Sequence, residues 1–579
     1  MGSIRDGQET NNIMKRLESN GAKKEPQEER SQSEPNLAVS RRGVLSGLGG
    51  LAGASLLGGS IALPQKAQAK EVGPLTGAGR EAETRMRRLD AADFQAAKPA
   101  PVLACNGDED LFANRIGNFS KTLPHNNLGE VDGPAYDAFL TALGSGLAAD
   151  FDAIPAGGVR KLANPRAAYA FPLTGIDSHK VDMPAVHAFD SARQASEAGE
   201  VYWMAATRDV RFDRYDTDSL IQAAVADMSS YSDFTGPKVG GQVTSGTLFR
   251  GLTPGDVAGP YISQFLFLDI PYGNSAIEQR YLSPIAKDDY MTGFGSWLAI
   301  QEGQNPVSPN RLRQTPRYIL RGRDLGEYVH GDYSYQAYLN AALICLSLGA
   351  LDPNPYSVAA REGGFITFGG AGILDLVARA AVASLRAAWF HKWLIHRKLR
   401  PEAFGGRIQN MMTGAATYPV NAEFLNSPVL DTVYQEYGTY LLPQAFPEGS
   451  PTHPSYPAGH ATIAGACVTV LKAFFNEDFV LPNTVVPRSG GVTLKPYTDQ
   501  ALTLGGELNK LASNIALGRN IAGVHWRADG DDGLVAGEDI AVAMLQDHLR
   551  TLVEDGAAFV LTRFNGTQIQ ITADDVVNI

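Results

Sequence analysis

The chain is short of cysteine and of basic residues, and both shortages exclude classes of protein. Its 579 residues include only Cys105, Cys345 and Cys467, spaced for neither a zinc site nor a disulfide framework. Cys345 and Cys467 lie in apolar helical runs, so buried thiols are expected, although a single bridge stays open for an exported protein. The 50 Lys and Arg against 62 Asp and Glu give a net charge of −12, which argues against a nucleic-acid partner.

Alternating strand patterns are scarce, and the sequence contains no dinucleotide-binding fingerprint and no internal repeat. Apolar residues instead recur at intervals of three and four over residues 371–400, 458–475, 500–520 and 535–554. This period predicts an all-α protein with minor short strands, including a short hairpin within residues 477–498. Because 579 residues exceed the usual size of one core, we expect two packed helical regions, over residues 70–370 and 371–579.

The first 69 residues have the features of a processing segment. Residues 1–39 are polar and charge-mixed, which is typical of a disordered leader. Ser40-Arg-Arg-Gly-Val-Leu45 has the form of a twin-arginine export signal, and Ala67-Gln-Ala69 fits a cleavage site after a Gly-, Ala- and Leu-rich stretch. We therefore expect residues 40–69 to direct export to the periplasm or the exterior. A membrane anchor is the alternative, but the stretch is only marginally long enough to span a bilayer, and no stable anchor is expected after processing.

Three polar clusters in the C-terminal third contain the groups that a tetrahedral anion requires. They are Lys392 with Arg400-Pro401, then Pro457-Ala-Gly-His460, then Arg519 with His525. Three cations supply charge, a glycine amide supplies a directed N–H donor, and two imidazoles can bond or shuttle protons. Alone, the first cluster would be a basic helix end and the second a turn with a helix cap. All three in this order favour an oxyanion site.

The local sequence also predicts where these clusters lie on helices. Lys392 and Arg400 are expected on one helix, about 80° apart around its axis, with Pro401 ending that helix. Gly459 is expected at a helix start, where its free amide faces an anion. Gly523 is expected to end a helix just before His525.

The order and spacing of the clusters resemble the vanadium-dependent haloperoxidases, a branch of the acid phosphatase and type-2 phosphatidic acid phosphatase superfamily. The eight-residue step from Lys392 to Arg400 and the run Ser450-Pro-Thr-His-Pro-Ser-Tyr-Pro-Ala-Gly-His460 are similar to the bromoperoxidases of red algae and cyanobacteria. Segments 259–265 and 323–329 fit the same branch. The resemblance implies two helical bundles of the chloroperoxidase and acid-phosphatase type. It also implies oxidation of bromide, and to some degree chloride, by hydrogen peroxide to a hypohalous-acid equivalent that halogenates small organic compounds.

The resemblance further implies vanadate as the cofactor. A ring nitrogen of His525 would bond vanadium, while the oxygens would meet the groups that complete the site, namely Lys392, Arg400, Gly459 and Arg519. Asp529 would hold the other ring nitrogen of His525. His460 would act as acid and base, and Lys392 would polarise the peroxide.

Two aromatic residues are assigned to the halide pocket by the same resemblance. His453 matches a second histidine of the algal branch, with a role in proton relay or in tuning halide binding. Trp389 has the spacing of a tryptophan in the fungal chloroperoxidases and would line the halide side, although core packing is an equally good explanation.

The sequence departs from the family pattern at Ala458, where a serine is usual. The change removes one hydrogen bond, worth roughly 1 kcal/mol or somewhat more to a charged oxygen. The segment Asp529-Gly-Asp-Asp-Gly533 would otherwise be an acidic surface loop, and it only superficially resembles a calcium loop because its glycine lies one residue short.

Two other functions stay open from the sequence. An acid phosphatase would use His525 as nucleophile and His460 as leaving-group acid. A non-enzymatic oxyanion-binding assembly protein would explain the missing serine. The second histidine, the upstream segments and the eight-residue step favour the peroxidase, and the resemblance implies a homodimer or a higher homo-oligomer.

Overall fold

Helices dominate residues 77–579, which are the residues that the computed structural model describes. The α-helices are α1 Gly77–Ala97, α2 Asp108–Leu111, α3 Gly133–Ser145, α4 Ala148–Asp152, α5 Ala192–Thr207, α6 Ser219–Ser230, α7 Phe294–Gln301, α8 Gly322–Gly331, α9 Gln336–Leu348, α10 Gly370–Phe390, α11 Pro401–Met412, α12 Ala422–Leu425, α13 Pro428–Tyr437, α14 Gly459–Phe474, α15 Leu504–Ile521 and α16 Arg527–Thr551. Short 3₁₀ helices lie at Pro165–Tyr169, Ser178–Lys180, Phe212–Arg214, Gln264–Leu266 and Pro355–Val358, and a π-helical segment at His391–His396. The predicted leader and export signal lie outside the described residues.

Small antiparallel sheets complete the described part of the chain. Their strands are β1 Ile270–Tyr272 with β2 Ser275–Ile277, β3 Val485–Pro487 with β4 Leu494–Pro496, and β5 Phe559–Thr562, β6 Gln568–Ile571 and β7 Val576–Asn578 in that order. The β3–β4 pair, with Val486 opposite Lys495, is the hairpin expected within residues 477–498. The all-α fold with minor strands is confirmed, while the boundary between residues 370 and 371 stays a prediction. No helix from residue 77 onward has the length and apolar character needed to cross a membrane.

Helix α14 lies at the centre of the core because most of its residues are small or apolar. It packs against α10, α15 and α16, and nearly every side chain on it is buried. Cys467 on α14 and Cys345 on α9 are buried free thiols, as expected, and Cys105 is an exposed free thiol. The three cysteines therefore form no bridge with one another.

Helices α14 and α16 approach each other at glycines. A Cβ atom on Gly465 would lie 2.0 Å from the carbonyl oxygen of Leu534, and one on Gly537 would lie 2.1 Å from that of Thr462. The two helices therefore touch backbone to backbone. Near their N-terminal ends, the amide of Ala458 donates to the carbonyl of Asp529 at 2.8 Å. This contact places both helix starts beside the candidate site.

Pro401 begins a helix, so the prediction that it ends one is wrong. The α-helical hydrogen bonding stops at Phe390, a π-helical turn follows, and the chain breaks at Arg397, whose φ is 41°. Arg400 is the N-cap of α11 and Pro401 is its first residue. At the first position an N–H would have no acceptor within the helix, so proline costs no hydrogen bond there. Lys392 and Arg400 thus lie on separate elements, because an extended residue before proline fits a helix start as well as a helix end.

We expect Gly465→Ala to lower the free energy of unfolding by about 1–3 kcal/mol, because the added methyl group would force two helix backbones apart. Urea unfolding followed by circular dichroism measures the change. Gly144→Ala is the matched control, since Gly144 is an exposed helical glycine and a methyl group added there would have no atom within 4 Å. The control should be neutral or stabilising by about 0.5–1 kcal/mol. Equal effects at both positions would contradict the close helix contact.

Candidate active site

A cavity of about 370 Å³ opens beside the N-terminal end of α14. Its wall contains most of the residues predicted for the site, namely Trp389, His453, Gly459, His460, Arg519 and His525. Lys392 and Arg400 are buried against this wall, with 0% and 1% of their surface exposed. Residues spread over 137 positions of sequence, from Trp389 to His525, therefore meet at one place.

His525 is held as a neutral imidazole with its lone pair on Nε2. Its Nδ1 lies 2.7 Å from a carboxylate oxygen of Asp529, and Arg400 donates an N–H to its Nε2 at 2.9 Å. Because arginine only donates, Nε2 is the acceptor and Nδ1 carries the hydrogen. Burial, followed by the charges of Arg400 and Lys392, holds the pKa of His525 well below its usual range. This is the form of histidine that binds metals.

Asp529 fixes the ring of His525 and is itself fixed from two other sides. The same carboxylate oxygen accepts the backbone N–H of Trp526 at 3.0 Å and the hydroxyl of Ser455. Asp529 is fully buried in the first turn of α16. The reading of residues 529–533 as an acidic surface loop is therefore wrong, because the segment continues the buried helix that packs on α14.

The three predicted cations are buried, and among the described residues none forms an ion pair with a carboxylate. Lys392 donates to the carbonyls of Pro454 and Ser455 at 2.8 and 2.6 Å. Arg400 donates to carbonyls and to two imidazoles, and Arg519 donates to the carbonyl of Val329 at 2.8 Å. Carbonyl oxygens solvate these charges without neutralising them.

The cost of burying these cations appears in their pKa values. Burial, and after it the charge of Arg400, lowers the pKa of Lys392 well below its usual range. Burial also lowers the pKa of Arg400 to about 9 and that of Arg519 to about 10. In the described structure the buried Nε of Arg519 has no hydrogen-bond acceptor. Both the unpaired charge and the unused donor fit an anion with several oxygens.

Gly459 begins α14, as predicted, and brings the helix start against the cavity wall. A Cβ atom at this position would lie 3.1 Å from Leu385 and 3.3 Å from Trp389, so a side chain would crowd the cavity. The N-cap residue Ala458 makes no side-chain hydrogen bond to the first turn. The first-turn amides therefore have no capping side chain and are available to an anion.

These observations fit a buried site for one tetrahedral oxyanion next to one imidazole with a lone pair on Nε2. Similar known proteins indicate the family. A family model described as the VCPO second helical-bundle domain matches residues 376–554. The vanadium-dependent bromoperoxidase of Ascophyllum nodosum is 35% identical over 501 residues, covering 82% of this chain and 89% of the relative. That of Corallina officinalis is 33% identical over 581 residues, covering 84% and 97%. The chain belongs to the vanadium-dependent bromoperoxidase family.

A solved structure extends this family relationship to the fold. The homohexameric structure of the second vanadate-dependent bromoperoxidase of Ascophyllum nodosum matches with a TM-score of 0.84 at 30% identity. The match covers 91% of this chain and 96% of that one. The family resemblance seen in the sequence is confirmed, and an acid phosphatase is not favoured.

His453 and Trp389 form one wall of the family's cavity in this chain. Their ring centroids lie 4.7 Å apart, and Nδ1 of His453 accepts an N–H of Arg400 at 2.9 Å. Burial and the charge of Lys392 hold the pKa of His453 well below its usual range, so the ring is neutral. Trp389 also donates its indole N–H to the carbonyl of Ala163 at 3.1 Å. Trp389 therefore both lines the cavity and packs in a core cluster.

Asp332 is a site residue that the sequence prediction missed. Its carboxylate lies 3.1 Å from Nε2 of His460. The His460 side chain is 28% exposed, whereas that of Asp332 is buried. Asp332 follows α8, so it reaches His460 only through tertiary packing across 128 residues. The only hint to Asp332 in the sequence was its position just after segment 323–329, which resembles the family.

His330 was also missed, and it lies on the same cavity wall. Its ring nitrogens lie 2.8 Å from Glu448 and 3.3 Å from Glu327. No local motif marks these residues. Among residues 77–579, no group of three or more His, Cys, Asp or Glu side chains is placed to hold a metal ion.

We expect phosphate, a tetrahedral oxyanion, to raise the Tm of the protein because it would neutralise the buried cations. Each tenfold rise above the dissociation constant should add about 1.4 kcal/mol to the free energy of unfolding. In Arg519→Ala the phosphate-induced rise should be much smaller, since a charge and its N–H donors are lost. Arg379→Ala, which removes an exposed arginine paired with Asp375 on α10, is the control and should behave like the wild type. Scanning calorimetry at several phosphate concentrations gives the answer, and equal shifts in all three proteins would rule out this anion site.

Proposed function

We propose that this chain oxidises bromide with hydrogen peroxide, using vanadate bound at His525, and thereby halogenates small organic compounds. The observation that carries this proposal is the neutral imidazole with its Nε2 lone pair, set among three buried cations that form no ion pair with any carboxylate in residues 77–579. The names of its relatives, vanadium-dependent bromoperoxidases, support the halide and the metal.

The residues present fit vanadate. Nε2 of His525 would hold the metal, and binding would exchange the present hydrogen bond from Arg400 for the metal bond. The positive groups Lys392, Arg400 and Arg519, with the first-turn amides at Gly459, would hold the oxygens. Vanadate bound there supplies a Lewis acid that activates hydrogen peroxide without changing its own oxidation state.

The proton transfers are assigned to His460. It lies on the cavity wall, is partly exposed to solvent and has Asp332 at 3.1 Å to orient its ring. His460 accepts a proton from hydrogen peroxide and returns one to the oxygen that leaves as hypohalous acid. Lys392 adds positive charge that polarises the peroxide. His453, buried and neutral, has a role in proton relay or in tuning halide binding.

Ala458 leaves this chain with one oxyanion donor fewer than the usual family serine provides. Its side chain is fully buried and forms no hydrogen bond. We propose that vanadate is held here by the three cations, the backbone amides and His525, with somewhat lower affinity than a serine hydroxyl would allow.

Metal-free protein reconstituted with orthovanadate should brominate monochlorodimedone when bromide and hydrogen peroxide are added. His525→Ala should lose this vanadate-dependent activity because the metal would lack its protein ligand. His179→Ala is the control, since His179 is an exposed histidine paired with Asp177 outside the cavity. Vanadate-dependent bromination by His525→Ala would refute the assignment. Hydrolysis of a p-nitrophenyl phosphate ester by the wild type, quenched by vanadate, would favour a phosphatase instead.

We also propose that the enzyme oxidises chloride to some degree, because its pocket combines His453 of the algal branch with a tryptophan at the chloroperoxidase spacing. The rings of His453 and Trp389 do meet in the cavity, 4.7 Å apart. With equal chloride and bromide, halogenation of monochlorodimedone should be dominated by bromide, with measurable chlorination in chloride alone. The absence of chloride turnover at every pH would refute the chloride activity.

Assembly and location complete the proposal. A homo-oligomer is supported by the homohexameric relative, and the mass of the protein in solution measures its oligomeric state.

Export through the twin-arginine route to the periplasm or the exterior is supported by residues 40–69, and the N-terminal sequence of the mature protein tests cleavage near Lys70. The division into helical regions over residues 70–370 and 371–579 is likewise a proposal, which limited proteolysis would test.

A further inference from the structure

His330 lies on the cavity wall with a carboxylate at each ring nitrogen. Nε2 is 2.8 Å from Glu448 and Nδ1 is 3.3 Å from Glu327. A neutral imidazole carries a hydrogen on only one nitrogen, so two carboxylate partners require the doubly protonated, cationic ring. Burial opposes this charge, but the hydrogen bonds to Glu327 and Glu448 raise the pKa of His330 to about 9.

The carboxylate of Glu327 and the backbone of Glu448 are both held by hydrogen bonds. Asn310 donates to both oxygens of Glu327 at 3.0 and 2.9 Å. The backbone carbonyl of Glu448 accepts Lys121 at 2.9 Å, and Arg160 lies next to the same carbonyl at 3.4 Å. The position of the His330 ring is therefore determined by α8 on one side and by the loop containing Glu448 on the other.

The ring of His330 packs flat on Phe446. Their centroids are 3.9 Å apart with an interplanar angle of 11°. The guanidinium of Arg519 also lies over the ring of Phe446, 5.4 Å from its centroid. Phe446 is only 1% exposed, so it has little freedom to move. One aromatic ring thus contacts both the cation of His330 and a cation of the oxyanion site.

Arg519 is also hydrogen-bonded to the chain segment that contains His330. Its Nη1 donates to the carbonyl of Val329, the residue before His330, at 2.8 Å. Its buried Nε has no acceptor among the described residues. The groups that orient this guanidinium, Phe446 and the Val329 carbonyl, both adjoin His330.

We propose that His330, clamped between Glu327 and Glu448, is a positioning residue that orients Arg519 toward the bound oxyanion. The inference rests on the proposed vanadate function and extends it to a residue that is linked to Arg519 through Phe446 and Val329. A loss of the clamp would free Phe446 and the end of α8, and the guanidinium would lose its fixed direction.

The test uses His330→Phe, which keeps a ring against Phe446 and removes both ionic hydrogen bonds. Equilibrium dialysis of metal-free protein should show a vanadate dissociation constant roughly ten- to a hundredfold higher than that of the wild type. Glu327→Gln, which keeps the shape of the side chain and removes the charge at Nδ1 of His330, should weaken binding in the same direction. His179→Phe, at the exposed histidine beside Asp177, should bind like the wild type. Circular dichroism of each variant verifies that the protein is folded.

The pH dependence separates positioning from simple packing. A raised pKa means that the charge of His330 is present below about pH 9 and is lost as the pH rises through that value. The ratio of variant to wild-type dissociation constants, in which the titration of vanadate itself cancels, should therefore fall toward one above pH 9. The charged groups around the ring are Glu327 and Glu448 and, across Phe446, Arg519. Arg160 faces Glu448, and Asp332 faces Arg519.

Each outcome is decisive. A wild type that binds no vanadate overturns the proposed function together with this inference. If the wild type binds vanadate and His330→Phe binds it as tightly, only the positioning role fails. A weakened variant whose affinity ratio is the same at every pH shows a packing role and overturns the clamp.

Discussion

The site depends on three cations that are buried without a carboxylate partner in the part of the chain that the structure describes. Removing a charge from water costs several kcal/mol in a protein unless another charge or several dipoles replace the solvent. Around Lys392, Arg400 and Arg519 the replacement consists of carbonyl oxygens and neutral imidazoles. Dipoles of this kind hold the cations in place and leave their charge available. A cluster of like charges in the core is unfavourable by itself, and it therefore favours the binding of an oxyanion.

The helix packing explains how chain segments far apart in sequence maintain this cluster. Because Gly465 and Gly537 let two helix backbones touch, the starts of α14 and α16 cannot shift independently. One start presents Gly459 to the cavity, and the other presents Asp529 to the ring of His525. The amide of Ala458 bonds the carbonyl of Asp529 and joins the two starts directly. Packing distant from the cavity thereby determines the direction of Nε2 of His525.

The residues proposed for the oxyanion site and most of the helices could be predicted from the sequence, because both depend on local patterns. The helical period and the clusters ending at Arg400, His460 and His525 are visible within short windows. The break after Phe390 was not predictable, since a proline signal fits a helix start and a helix end alike. Asp332 and His330 were missed for another reason. They reach the cavity through tertiary packing, and no spacing rule connects the C-terminal end of α8 to His460 on α14 or to Glu448, each more than a hundred positions later.

The histidines of the cavity show that surroundings, and not residue type, decide their chemistry. His525 has one carboxylate and several cations as neighbours, so its ring stays neutral and its Nε2 keeps a lone pair. His330 has a carboxylate at each nitrogen, so its ring is a cation without a free lone pair. Exchanging the two environments would protonate Nε2 of His525 and remove its lone pair. The same side chain can therefore be a neutral hydrogen-bond acceptor in one part of the cavity and a fixed charge in another.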